Sequence, residues 1–154
     1  KTLADRKKEI YDEDLDAIVA DMATTTQNTW EMESLQTSAG TSVIPTATVR
    51  MRNTLDGRVV QDAATGDGPV DAAYSAIQRI TGVTVRLTDY QLRAITGGGD
   101  AQGEVSVEID HNGKTLRGRA HSTDIIEASA AAFVNAINRV ITGMGTARGH
   151  AQQP

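Results

Sequence analysis

The residues of this chain best suited to hold a ligand lie at Gly66-Asp67-Gly68-Pro69-Val70, where a glycine turn runs into a helical pattern. The first N–H groups of a helix have no partner within it and sit at the positive end of its dipole. That arrangement suits a carboxylate or a phosphate. Gly66 and Gly68 are expected to take backbone angles that residues with a Cβ avoid. Asp67 is of a type that caps helix starts, and Pro69 suits the first helical position. Other reactive residues are scattered. His111 falls in a hairpin turn, His121 before a helix and His150 in the C-terminal tail, with no metal-ligand spacing among them. Ser122-Thr123-Asp124 beside His121 has the residue types of a nucleophilic site, but helix capping accounts for them more simply. Thr96–Gly103, TGGGDAQG, lacks the Lys and Ser/Thr of a P-loop and is expected to be a mobile connection. No active site, metal site or cofactor site is predicted.

The composition narrows the classes further. The chain has 154 residues, one domain's worth, with a net charge of −5. That balance argues against a nucleic-acid surface. The absence of cysteine excludes disulfides and thiolate chemistry and fits a cytoplasmic protein. No apolar run is expected to span a membrane, and no signal-peptide pattern opens the chain. Its first residue is Lys1, so it is expected to be a piece of something longer.

The elements that must position the glycine turn follow from periodicity. Residues 1–28 read as a helical linker: DEDLDAIVADM is amphipathic, Arg6-Lys7-Lys8 a solvated face, and Thr24–Asn28 a polar break. Trp30–Leu35 reads as a strand and Ser38–Ser42 as a loop. Ala47, Val49 and Met51 then alternate with polar residues as a half-buried strand does. Leu55-Asp56-Gly57 turns the chain into a third strand, Arg58–Ala64. Val70, Ala73, Tyr74, Ile77 and Ile80 place the apolar face of the helix that follows, which Gly82 closes as a left-handed cap.

The order then repeats. Val85–Ile95 reads as a strand, and Val105, Val107 and Ile109 mark another. His111-Asn112-Gly113 is a hairpin signal, Lys114–His121 returns, and Ser122-Thr123-Asp124 caps a helix over Ile125–Ile141. Val140-Ile141-Thr142-Gly143 echoes Arg79-Ile80-Thr81-Gly82, so the chain is read as an internal duplication. The expected fold is α+β: two βββα units, about 29–82 and 83–143, with helices covering one face of antiparallel sheets. Residues 144–154 are expected to be a loose tail. In such a duplicate the two helix starts can converge and grip a small anionic ligand.

Three strings carry a resemblance: TGDGPVDAAYSAIQRITG, LTDYQLRAITGGGDAQGEVSVEI and GRAHSTDIIEASAAAFVNAIN. From Trp30 to Ile141 the chain resembles the C-terminal regulatory domain of isopropylmalate synthases, and ADRKKEIYDEDLDAIV resembles their linker subdomain. The resemblance implies two βββα units assembled as a homodimer, binding leucine to inhibit a catalytic TIM barrel of the same polypeptide. That barrel is absent from these residues, so the chain alone is not expected to be an enzyme. By resemblance the effector pocket draws on Gly66, Asp67, Gly68, Pro69 and Val70, then Leu87, Tyr90 and Ala94, with Ala101 and Ile125. Helix-start N–H groups would meet the carboxylate, Asp67 or a neighbouring carbonyl the ammonium, and Leu87, Tyr90, Ala94 and Ile125 the isobutyl group. Citramalate synthases resemble the chain too and answer to isoleucine. A ligand-free dimerisation module is a third reading, with those apolar residues as plain core. A double-stranded-RNA-binding domain has a similar element order, but its last helix starts with lysines where this chain has GDGPVDAA.

Overall fold

The computed structural model describes residues 29–95 and 101–151, with side chains to residue 143. The linker read over residues 1–28 lies outside them. Strands β1 (Trp30–Gly40), β2 (Val43–Asn53) and β3 (Val59–Thr65) precede helix α1 (Pro69–Thr81). The pattern recurs as β4 (Arg86–Ile95), β5 (Gln102–His111), β6 (Lys114–Ser122) and helix α2 (Ile125–Ala151). Each trio forms its own antiparallel sheet, in the orders β1-β2-β3 and β4-β5-β6. The architecture is α+β, two βββα units, as the periodicity required.

The alternating apolar residues of the two central strands are the core. Ala47, Val49 and Met51 of β2 are buried, and so are Val105, Val107 and Ile109 of β5. Each helix lies on its own sheet. In α2 the small residues Ala128, Ala132 and Ala136 recur every fourth position and are all buried. A Cβ on Gly118 of β6 would come within 2.1 Å of the Ala132 carbonyl oxygen and 2.6 Å of the Ala136 nitrogen. Helix backbone therefore rests on strand backbone at that point, which no other residue permits. The helices meet through stacked rings of Tyr74 and Phe133, with centroids 4.2 Å apart.

One buried amide ties the two units together. The Asn138 side chain, fully buried in α2, accepts a hydrogen bond from Trp30 N–H at 2.9 Å and donates to Trp30 C=O at 2.9 Å. It extends the hydrogen bonding of β1 on the side where, among the described residues, no strand lies beside it.

Several sequence expectations need correction. Ser38–Ser42 is not a loop: β1 runs to Gly40 and only Thr41-Ser42 turn the chain into β2. This hairpin projects past the third strand, since β3 ends at Thr65 opposite Thr46. Backbone pairing holds it, with no alternating burial to announce it. Gln102 and Gly103, read as part of the mobile connection, belong to β5. The helix expected to end at Ile141 continues to Ala151, so the residues after 143 are not a loose tail up to that point. Gly82 ends α1 with φ of 73°, and its N–H bonds to the Gln78 carbonyl at 2.9 Å. Gly143 does not take a positive φ, and the helix passes through it. Finally, Ile125–Gly143 is long and apolar enough to cross a membrane by composition, with mean hydropathy 1.2. Burial of 56% of that window against the sheet and α1 accounts for its composition as that of a core helix.

Asn138→Leu keeps the volume but leaves the buried Trp30 N–H and C=O unpaired, at roughly 1–3 kcal/mol for each group. Urea unfolding should show a loss of that order. An unchanged midpoint would mean that the joint between the units does not depend on the amide.

Candidate effector site

The two helix starts are built differently although they occupy equivalent places. At α2 the Asp124 carboxylate accepts hydrogen bonds from the N–H groups of Ile126 at 2.9 Å and Glu127 at 3.2 Å. Ser122 Oγ donates to the Glu127 carboxylate at 2.6 Å and accepts from Asp124 N–H. His121 Nδ1 pairs with Gln102 Oε1 at 2.8 Å. These residues are a cap, and that start is sealed.

At α1 the cap position is Gly68, and no side chain caps the first turn. Asp67 does not act as the cap. Its own N–H instead donates to Asp71 Oδ2 at 3.0 Å. The α1 start thus keeps uncapped N–H groups with two carboxylates, Asp67 and Asp71, beside them. Such a mixture suits a zwitterion better than a phosphate, since the carboxylates would repel a polyanion.

The two glycines act otherwise than the sequence suggested. Gly68 has φ of −157° and ψ of 176°, extended backbone open to any residue, with nothing near its Cβ direction. Gly66 is required for space: a Cβ would lie 2.6 Å from Ala72 N and 2.8 Å from Asp71 Oδ2. Its N–H bonds to the Pro45 carbonyl at 3.1 Å, anchoring the turn to the start of β2.

The apolar candidates gather on β4. The register shifts by one residue between Leu87 and Asp89, so Leu87 opposes Ile109 and Tyr90 opposes Val107. Leu92 then opposes Val105, and Ala94 opposes Gly103. All four share the face on which β5 buries its apolar residues. The helix layer stops short of them, because α2 lies over β5 and β6. Leu87 is therefore 41% exposed and Leu92 53%. Ile125 at the α2 start, 36% exposed, closes one end of this face. A Cβ on Gly103 would come within 2.1 Å of Ile125 Cδ1 and 3.3 Å of Leu92 Cδ1, so Gly103 forms the floor between them. Ala101 is exposed just before β5.

The two helix starts point the same way. The α1 start is fastened to Pro45, in the part of β2 that pairs with the far end of β1. The α2 start borders a groove with Ser34, Leu35 and Thr37 of β1. A bridge between the polar and apolar halves comes from Tyr74, one turn beyond Val70. Burial raises its phenol above the ordinary tyrosine range, with a smaller push from Tyr90, and the Ser129 hydroxyl pulls the other way. Ser129 Oγ donates to the Ile125 carbonyl at 2.8 Å, so in its 2.7 Å contact with Tyr90 the phenol must be the donor. Sequence reasoning missed Leu92, Tyr74 and Ser129 as site residues. For Leu92 the signal was present, in its alternation with Tyr90 and Ala94. Among the described residues no group of three His, Asp or Glu could hold a metal ion.

Comparison with known proteins places this arrangement. The sequence matches the LeuA allosteric (dimerisation) domain over residues 9–141. The chain belongs to that family. It is 48% identical to a 2-isopropylmalate synthase of Heliobacterium modesticaldum over 141 residues, 92% of this chain and 27% of that protein. A 2-isopropylmalate synthase of Pelotomaculum thermopropionicum is 46% identical over 142 residues, covering 92% of this chain and 28% of its own length. One of Rhodopirellula baltica is 40% identical across the whole chain and 29% of itself. The chain thus spans somewhat over a quarter of the length of these relatives. It is a LeuA allosteric domain corresponding to one part of a larger enzyme.

Gly66→Ala should lower stability by about 1–3 kcal/mol, because backbone stands where the methyl would go. Gly68→Ser should raise stability by a few tenths of a kcal/mol or more, since it supplies the missing cap. Thermal unfolding of the two variants, if both moved the same way, would contradict the distinction between crowded and open glycine.

Proposed function

We propose that this chain is the regulatory part of a 2-isopropylmalate synthase, binding leucine as the feedback effector of a catalytic barrel in the same polypeptide. The observation that carries the reading is the pairing of an uncapped α1 start, flanked by Asp67 and Asp71, with the uncovered apolar face of β4. One half offers N–H donors and counter-charges to an α-amino acid. The other, with Leu87, Tyr90, Leu92, Ala94 and Ile125, offers a wall for a branched alkyl group. The family's description as an allosteric domain supports the same assignment.

The energetics require both halves. Burying a leucine side chain supplies roughly 1.5–3 kcal/mol, whereas micromolar binding needs about 8 kcal/mol. Fixed partners for the charged ends must provide the remainder. The same exposed apolar face on β4 favours a homodimer, because a second copy would cover Leu87 and Leu92. On this reading the chain carries no catalytic residues. Residues 1–28 form the linker to the catalytic domain, and the enzyme works in the cytoplasm.

Calorimetry on the 154-residue chain, shown dimeric by sedimentation, tests the proposal. Leucine should bind, while leucinamide and isocaproate, each lacking one charged end, should bind far more weakly. Preference for isoleucine would replace the leucine reading with that of a citramalate synthase regulatory domain. Heat from none of these ligands would leave a dimerisation module alone.

A further inference from the structure

Gly68 is a glycine that nothing in the described chain requires. Its backbone is extended, with φ of −157° and ψ of 176°, and a Cβ added to it would meet no atom within 4 Å. It also stands at the cap position of α1, where a side-chain oxygen would stabilise the helix. The second unit shows what that position can hold. The Gly68 carbonyl accepts the first helical hydrogen bond from Ala72 N–H at 2.9 Å, and the Asp124 carbonyl accepts the same bond from Ala128 N–H at 2.9 Å. Gly68 and Asp124 are therefore equivalent, and Val70 and Asp71 correspond to Ile126 and Glu127. In α2 the Asp124 carboxylate sits on the N–H groups of Ile126 and Glu127, at 2.9 and 3.2 Å. In α1 the cap residue has no side chain to offer to Val70 and Asp71.

The surroundings correspond as well. The α2 start borders β1 at its register shift between Met32 and Ser34. The counterpart in β4 is the shift between Leu87 and Asp89, which brings Leu87 and Tyr90 to the uncovered apolar face. One difference concerns charge: the residue before the cap is Thr123 in the second unit and Asp67 in the first.

Resting on the effector reading above, we infer that Gly68 reserves the place of a cap carboxylate for that of a free α-amino acid, and that Asp124 fills the equivalent place from within the chain. The ligand carboxylate accepts from Val70 and Asp71 N–H as the Asp124 carboxylate accepts from Ile126 and Glu127. Charge-assisted bonds of this kind are among the stronger ones. A Cβ at position 68 would stand where ligand atoms must go, so the position is glycine although the unliganded fold has room for more. Asp67, unmatched by Thr123, supplies the counter-charge to the ammonium. The duplicated chain thus takes one amino acid rather than two, because one of its two equivalent receptors is permanently occupied by its own side chain.

Two substitutions in the full chain test this, one that blocks the place and one that fills it. Gly68→Ala should fold as the parent does by circular dichroism, yet bind leucine roughly tenfold or more weakly in calorimetry. Gly68→Asp should occupy its own site. Leucine binding should be lost, and urea unfolding should show folding about fivefold more favourable than in Gly68→Ala. Hydrogen exchange at the Val70 and Asp71 amides should slow in Gly68→Asp without ligand, and in the parent only with leucine, one bound per chain. Leucine affinity unchanged by Gly68→Ala, or two leucines bound per chain, would overturn the reserved place and leave the effector reading intact. Val70 and Asp71 amides that exchange as fast in Gly68→Asp as in the parent would overturn the equivalence with Asp124. A parent that gives no leucine heat would sink the effector reading and the reserved place together.

Discussion

The contact between α2 and β6 at Gly118 determines most of what this domain can do. Because helix backbone lies on strand backbone there, with the Ala132 carbonyl where a Cβ would be, α2 has little freedom to slide or roll. Everything that α2 carries is placed from that point. Phe133 meets Tyr74, Ser129 reaches Tyr90, Ile125 borders the open face of β4, and Asn138 reaches Trp30. Four contacts with three different elements, α1, β4 and β1, issue from one helix whose seat is fixed by the absence of a side chain. The all-round apolar composition of α2 follows from this central position.

The two units of the duplication are not alike where their helices begin. Both units end in a helix laid on a three-stranded sheet, yet one helix start is sealed by Asp124 and the other is left with Gly68. A second asymmetry lies in the third strands. β6 has Gly118 where β3 has the Asp62 carboxylate, which the Ala63 N–H and the Arg79 guanidinium hold below the usual carboxylate range. The second unit is therefore tightly seated, while the first keeps polar groups in the matching place. Uncapped N–H groups are thus found at the first unit's helix start, and exposed apolar surface on the second unit's first strand.

Much of this was legible in the residues. The alternation in β2 and β5, the Asn112-Gly113 turn with φ of 55° and 84°, the Gly82 cap and the repeat itself follow from local chemistry. So does the sealing of α2 by Asp124. The remainder depended on partners distant in sequence. The extra residue at Thr88, which brings Leu87 and Tyr90 to one face, is a matter of pairing with β5 and leaves no mark in β4 alone. Gly66 looked like a residue needed for its angle, and the approach of Ala72 shows that it is needed for its size. Tyr74 fitted the apolar stripe of α1 so well that its hydroxyl drew no attention, though the hydroxyl is the unusual part.

The bond between Asn138 and Trp30 also bears on how the chain reaches its fold. It joins residues 108 apart in sequence, whereas the strand pairings within each unit close between near neighbours. Loop-closure entropy therefore favours two separately collapsed halves first and this joint last. Until it closes, the start of β1 presents an unpaired edge with Trp30 uncovered, the kind of surface that recruits the same element from another molecule. For a domain whose relatives are described by their pairing, the last step of folding and the first opportunity for an exchanged strand fall at the same residue.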